Sequence, residues 1–195
     1  MYWDMTAFKF DEAKATQAAC RLIHRRGGEI DYGSLVKLLY LVDREAIKRW
    51  GRPITGDQIV SMPRGPVLST ILDWVRNRFE VGEGTYWLAH IERCSSPRLR
   101  ERKSPGLDDL SDAEVELIDG IAERFQDMSW PDLRDFCHDP ENCPEWQDPG
   151  GSSAPIPFER VMESTGRSEE QIAISKSLAR SSLRFDHVMK AALDV

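Results

Sequence analysis

Tyr32-Gly33-Ser34-Leu35-Val36-Lys37-Leu38-Leu39-Tyr40-Leu41-Val42-Asp43-Arg44-Glu45-Ala46-Ile47-Lys48-Arg49-Trp50 is the stretch that decides the fold. Leu35, Leu38, Leu39, Val42, Ala46 and Trp50 share one helical stripe, which Val36, Tyr40 and Ile47 widen. So broad an apolar face predicts a central helix, covered by others on most sides. Asp31 stands where it can cap the first turn, and Gly51-Arg52-Pro53 ends the run. Lys37, Arg44 and Lys48 are left to share the remaining surface.

On the N-terminal side, Ala15, Ala18, Ala19, Leu22 and Ile23 repeat at helical spacing between Asp11 and the Gly27-Gly28 stop. On the C-terminal side, Gln58-Ile59-Val60-Ser61-Met62 reads as a short strand closed by Pro63-Arg64-Gly65-Pro66. Pro66 suits the first turn of a helix, continued by Leu68, Ile71, Leu72, Val75 and Phe79 until Gly82 and Gly84 break it. Trp74 lies off that stripe.

Thr85 to Cys94 is aromatic and β-branched, and Pro97 with Leu99 reads as the return strand of a hairpin decorated by Arg93, Arg98, Arg100, Arg102 and Lys103. Ser111 with Glu114 makes a capping box for the next helix, and Ser129-Trp130-Pro131-Asp132 opens a shorter one. The Gly, Ser and Pro content of 148–157 predicts a linker or surface loop before a helical tail carrying Ile172, Ile174, Leu178, Leu183, Val188 and Leu193. The expected class is mainly α with a small antiparallel sheet or hairpin. It divides into a helical domain over 1–147 and an extension over 148–195.

Composition narrows the function. The net charge of -7 opposes broad attraction to phosphate backbones. No window is apolar enough for a membrane span, and Met1 to Met5 lack the build of a signal peptide, so a cytoplasmic protein is expected. Cys20, Cys94, Cys137 and Cys143 read as reduced thiols.

No phosphate-binding glycine loop, dinucleotide fingerprint, zinc-protease helix or nucleophile elbow is present, and no catalytic residue or cofactor is assigned. Cys137, His138 and Cys143 are the best metal ligands by type, but their spacing matches no zinc knuckle, and core thiols are preferred. Asp108 and Asp112 lie at a helix start, where carboxylates are favoured structurally. Trp87 beside the arginines of the hairpin makes nucleic acid a rival ligand, since it combines a stacking ring with cations.

Three elements in order, Lys37-Leu38-Leu39-Tyr40-Leu41-Val42-Asp43-Arg44, Gly51-Arg52-Pro53-Ile54-Thr55-Gly56-Asp57 and Met62-Pro63-Arg64-Gly65-Pro66-Val67, resemble the Panacea domain of SocA-like antitoxins. Pro144-Glu145-Trp146 is similar to an element late in that domain. The resemblance implies an antitoxin that neutralises a co-encoded toxin by direct protein contact, without catalysis. It also implies an adaptor role in which the toxin passes to a ClpXP-type protease.

On this resemblance Leu39, Tyr40, Asp43, Trp50, Pro53, Pro63, Gly65 and Pro66 are structural, while Arg44, Lys48, Arg52, Met62, Arg64 and Trp74 are expected to meet the partner. Arg64 departs from the aromatic or other residue common in that turn. For Trp74 the alternative is a second-layer core position.

Overall fold

The computed structural model describes residues 8–78 and 84–193, so Phe79 and Gly82 of the expected third helix, and Met1 to Met5, lie outside the described residues. Helix α1 (Glu12–Arg25) begins where Asp11 accepts from Lys14 N, and it buries Ala15, Ala18, Ala19, Leu22 and Ile23 as the spacing predicts. Strand β1 (Glu29–Asp31) leads into α2 (Tyr32–Trp50). Asp31 Oδ1 accepts from the Gly33 and Ser34 amides at 2.8 and 3.3 Å. Gly51 closes the helix in the left-handed conformation at φ 70°, donating to Ile47 O.

The central position expected for α2 follows from its contacts. It packs against α1 and against later helices, chiefly α5 (Asp112–Arg124), α6 (Trp130–His138) and α7 (Phe158–Ser164). One expectation fails: Lys37 is not on a remaining surface but 3% exposed, because α6 and the hairpin described next cover that side.

Strands β2 (Ile59–Met62) and β3 (Gly65–Leu68) form a tight antiparallel hairpin with Pro63 and Arg64 at its tip. Pro66 therefore sits in a strand and not in the first turn of a helix. It opposes Ser61 on an edge strand, where a missing N–H breaks no ladder. Helix α3 (Ser69–Val75) starts later because its cap comes from across the hairpin: Asp57 accepts from Thr70 N at 3.1 Å and Ile71 N at 3.0 Å.

Thr85 to Cys94 is not one strand. Residues Thr85–His90 form helix α4, followed by β4 (Ile91–Ser95) and β5 (Arg98–Glu101). Glu12 Oε1 on α1 accepts from Tyr86 N and Trp87 N at 2.8 and 3.0 Å, and this distant carboxylate holds the first turn. The three strands pair antiparallel in the order β1-β5-β4.

The predicted capping box of Ser111 with Glu114 forms on α5, and at the predicted start of α6 Ser129 makes another with Asp132. The 148–157 stretch does more than link. Its Ala154–Pro155 forms β6 beside β2, completing the sheet β3-β2-β6. Helix α8 (Glu169–Leu193) then packs on α7.

Candidate partner-binding site

The tip of the β2–β3 hairpin, the first turns of α2 and the start of α6 enclose a pocket of about 430 Å³. Met62, Pro63 and Arg64 come from the hairpin, Tyr32, Val36 and Lys37 from α2, Leu72 and Arg76 from α3 and its cap, and Trp130 from α6. The Arg64 guanidinium lies 5.6 Å from the centre of the Trp130 ring. At the rear, Lys37 Nζ donates to Pro66 O at 2.8 Å, and burial pushes its amine down to about 8.

Gly65 is the reason the lysine fits. Its φ is +91°, and a Cβ there would lie 2.7 Å from Lys37 Nζ and 2.9 Å from His138 Cδ2.

Four carboxylates fasten the frame around this site. Asp43, fully buried, accepts from Ile54 N, Thr55 N and Thr55 Oγ1 at 2.8, 2.9 and 2.5 Å, and so holds the Pro53-Ile54-Thr55 loop against α2. Asp57 caps α3 as described. Glu114 binds Lys14 Nζ and Arg52 Nη1 at 2.9 and 2.8 Å, joining α1, the loop and α5. Glu145 takes Tyr40 Oη at 2.5 Å, Arg44 Nε at 2.6 Å and Ser164 Oγ at 2.9 Å.

These bonds redistribute the residues expected to meet a partner. Met62 and Arg64 come together at the pocket. Arg44, its side chain only 18% exposed, is held by Glu145. Arg44 and Lys48 line a different, smaller cleft with Phe136 and Ser164. Arg52 is exposed but paired with Glu114 and laid over the Trp50 ring. Trp74 is 3% exposed, between Phe10 at 5.2 Å and Trp87 at 5.7 Å, which is the second-layer core position and not a surface contact.

Lys37, Tyr32, Arg76 and Trp130 were not among the expected contacts. Only Lys37 left a signal, a cation interrupting an otherwise apolar run.

The other candidate chemistries resolve by direction and distance. Cys137 is buried and its thiol is raised by a hydrogen bond to Cys143 and then by burial, whereas the adjacent His138 ring stacks on Trp146 at 4.4 Å. Among the described residues no group of three or more Cys, His, Asp or Glu is placed to hold a metal ion. Trp87 lies on α4 and not on the basic hairpin, and is 2% exposed, while on the hairpin Arg98 pairs with Glu29, and Arg100 and Arg102 both face Glu92.

A family model described as antitoxin SocA-like, Panacea domain, matches residues 35–147. The chain belongs to this SocA-like antitoxin family. No curated protein and no solved structure matches it. The Panacea match runs from the first buried turn of α2 to the residue after Trp146, so it contains the hairpin tip, Asp43, Asp57, Glu114 and Glu145. Among the described residues of this antitoxin, no helix is long and apolar enough to cross a membrane.

Proposed function

We propose that this antitoxin neutralises a co-encoded toxin by direct protein contact. The observation that carries the reading is on α8. Ile174, Leu178, Phe185 and Met189 are 53, 65, 65 and 44% exposed and recur at spacings of four, seven and four, which places them on one face. They are four of the six large hydrophobic side chains exposed among the described residues. The adjoining face, Ile172, Ser175 and Ala179, packs inward. An exposed apolar row beside the buried one gives α8 more apolar surface than its own packing uses, and such a patch is the mark of a protein docking surface. Met62 and Arg64 at the pocket are proposed as a second contact region.

The nucleic-acid reading has less support, because the hairpin arginines face carboxylates of their own sheet and the nearby tryptophan ring is buried. Delivery of the bound toxin to a ClpXP-type protease is compatible with the same surfaces. It would appear as a toxin half-life shortened by the antitoxin only when that protease is present.

The test is growth of toxin-expressing cells beside co-purification of the two proteins. Leu178→Glu with Phe185→Glu should abolish rescue and co-purification while the melting temperature stays within about 2 °C, since exposed positions contribute little to stability. Undiminished rescue would remove α8 from the interface.

A further inference from the structure

Carboxylates elsewhere on this acidic chain hold many of the arginines, as where Arg21 pairs with Asp119, Arg44 with Glu145, Arg52 with Glu114 and Arg100 with Glu92, and backbone carbonyls take others, such as Arg26 and Arg167. The hairpin-tip pocket is different. Lys37, Arg64 and Arg76 all line it, and none of the three forms an ion pair with a described residue. Asp31 is the one acidic residue of the lining, and its Oδ1 is already engaged by the Gly33 and Ser34 amides.

Lys37 makes the imbalance sharp. An ammonium carries three donors, and this one, almost wholly buried, donates to Pro66 O at 2.8 Å. A buried cation without a counter-charge is costly, and an anion entering the pocket would relieve that cost. The walls select among anions. Tyr32, Val36, Val67, Leu72 and Trp130 are aromatic or aliphatic, a surface that suits an apolar carrier better than a heavily hydrated phosphate. Arg64, laid along Trp130, offers a planar fork matched to a carboxylate.

We propose that this pocket receives a carboxylate on an apolar carrier, supplied by an acidic side chain with apolar neighbours on the bound toxin. The source rests on the toxin-binding reading above, whereas the chemistry does not. A side chain is favoured over a chain terminus because terminal carboxylates are usually captured by free backbone amides, and those at the start of α2 are taken by Asp31.

The probe is hexanoate, titrated into the full-length protein and followed by NMR of the Trp130 indole, assigned by its loss in Trp130→Phe. Hexanoate should shift that resonance with a Kd on the order of millimolar, as befits a ligand of so few atoms. Hexan-1-ol and inorganic phosphate should bind at least about tenfold more weakly, which is the discrimination expected of a charge-assisted site with apolar walls. Arg64→Ala and Arg76→Ala, both at exposed positions, should each weaken hexanoate by about fivefold or more with unchanged melts. Equal binding of the alcohol, or no effect of either variant, would overturn the site. The antitoxin–toxin complex should no longer bind hexanoate. Unimpaired binding in that complex would overturn the toxin as the source. Failure to form any complex would overturn the toxin-binding reading instead, with hexanoate and the free protein still deciding the chemistry of the pocket.

Discussion

The hydroxyl of Tyr40 donates to Glu145 Oε1 at 2.5 Å, joining α2 to a residue 105 positions later. Arg44 one turn further along α2 and Ser164 on α7 reach the same carboxylate, whose side chain is wholly buried. One glutamate thus fastens the segment after α6, and the helix beyond it, to the centre of the fold.

Glu145→Ala should therefore destabilise the protein by about 3 to 5 kcal/mol, because it strands the partly buried Arg44 cation and the buried Tyr40 hydroxyl together. Tyr40→Phe removes one donor and leaves the ion pair, so its cost should be nearer 1 to 2 kcal/mol. Urea unfolding of both variants gives the comparison, and equal losses would mean that Arg44 contributes nothing to the arrangement.

At Gly65 a methyl group meets both a strained φ of +91° and the Lys37 ammonium at 2.7 Å. Gly65→Ala should cost about 1 to 3 kcal/mol and displace Lys37 from Pro66 O. A thermal melt measures the first effect, and loss of the hexanoate response at Trp130 reports the second. A wild-type melt with an intact response would show that the turn relaxes freely.

Burial pushes the Asp43 carboxyl up to about 6, against the opposing pull of its hydrogen bonds from Thr55 and Ile54. In the unfolded chain it titrates near 3.8. Between those values the folded state keeps a proton that the unfolded chain has released, so this group's contribution is fully present below about 4 and is lost as pH rises to about 6. Two pKa units correspond to roughly 3 kcal/mol. Urea unfolding of the wild type and Asp43→Asn at pH 4, 5, 6 and 7 isolates the effect: the wild type should lose about that much relative to the variant across the window, and parallel curves would contradict it. Glu114, held down to about 2 by the Ser111 amide with Lys14 and Arg52 despite its burial, acts in the opposite sense, and its contribution is lost as pH falls below about 4.5.

Random duplex DNA should bind no tighter than it does to acidic control proteins at about 0.15 M salt, where exposed charges are screened beyond roughly 8 Å. The hairpin arginines already face Glu29 and Glu92. A submicromolar, steeply salt-dependent shift in a mobility assay, abolished by changing Arg98, Arg100 and Arg102 to Ser, would restore the nucleic-acid reading.

By itself the sequence determined what depends on local spacing and short-range chemistry. The stripe of α2, the caps at Asp31 and Ser111, the helix starts after Asp11 and Ser129, the Gly51 stop and the strand at Ile59–Met62 all rest on contacts within a few residues, and all stand in the structure. Three ordered motifs around them were enough to recognise the Panacea domain. Tertiary structure alone decided what depends on partners far along the chain. Glu12 makes a helix of Thr85–His90, Asp57 sets where α3 begins, and a strand from the linker stretch completes a sheet. Trp74 and Lys37 are off-stripe or charged and read as surface, yet α4 and α6 bury them, while Arg44 is drawn inward by a glutamate 101 residues away. A side chain's type and spacing announce the face it occupies on its own helix, but which faces are covered, and which cations find a carboxylate, is settled only when distant segments pack.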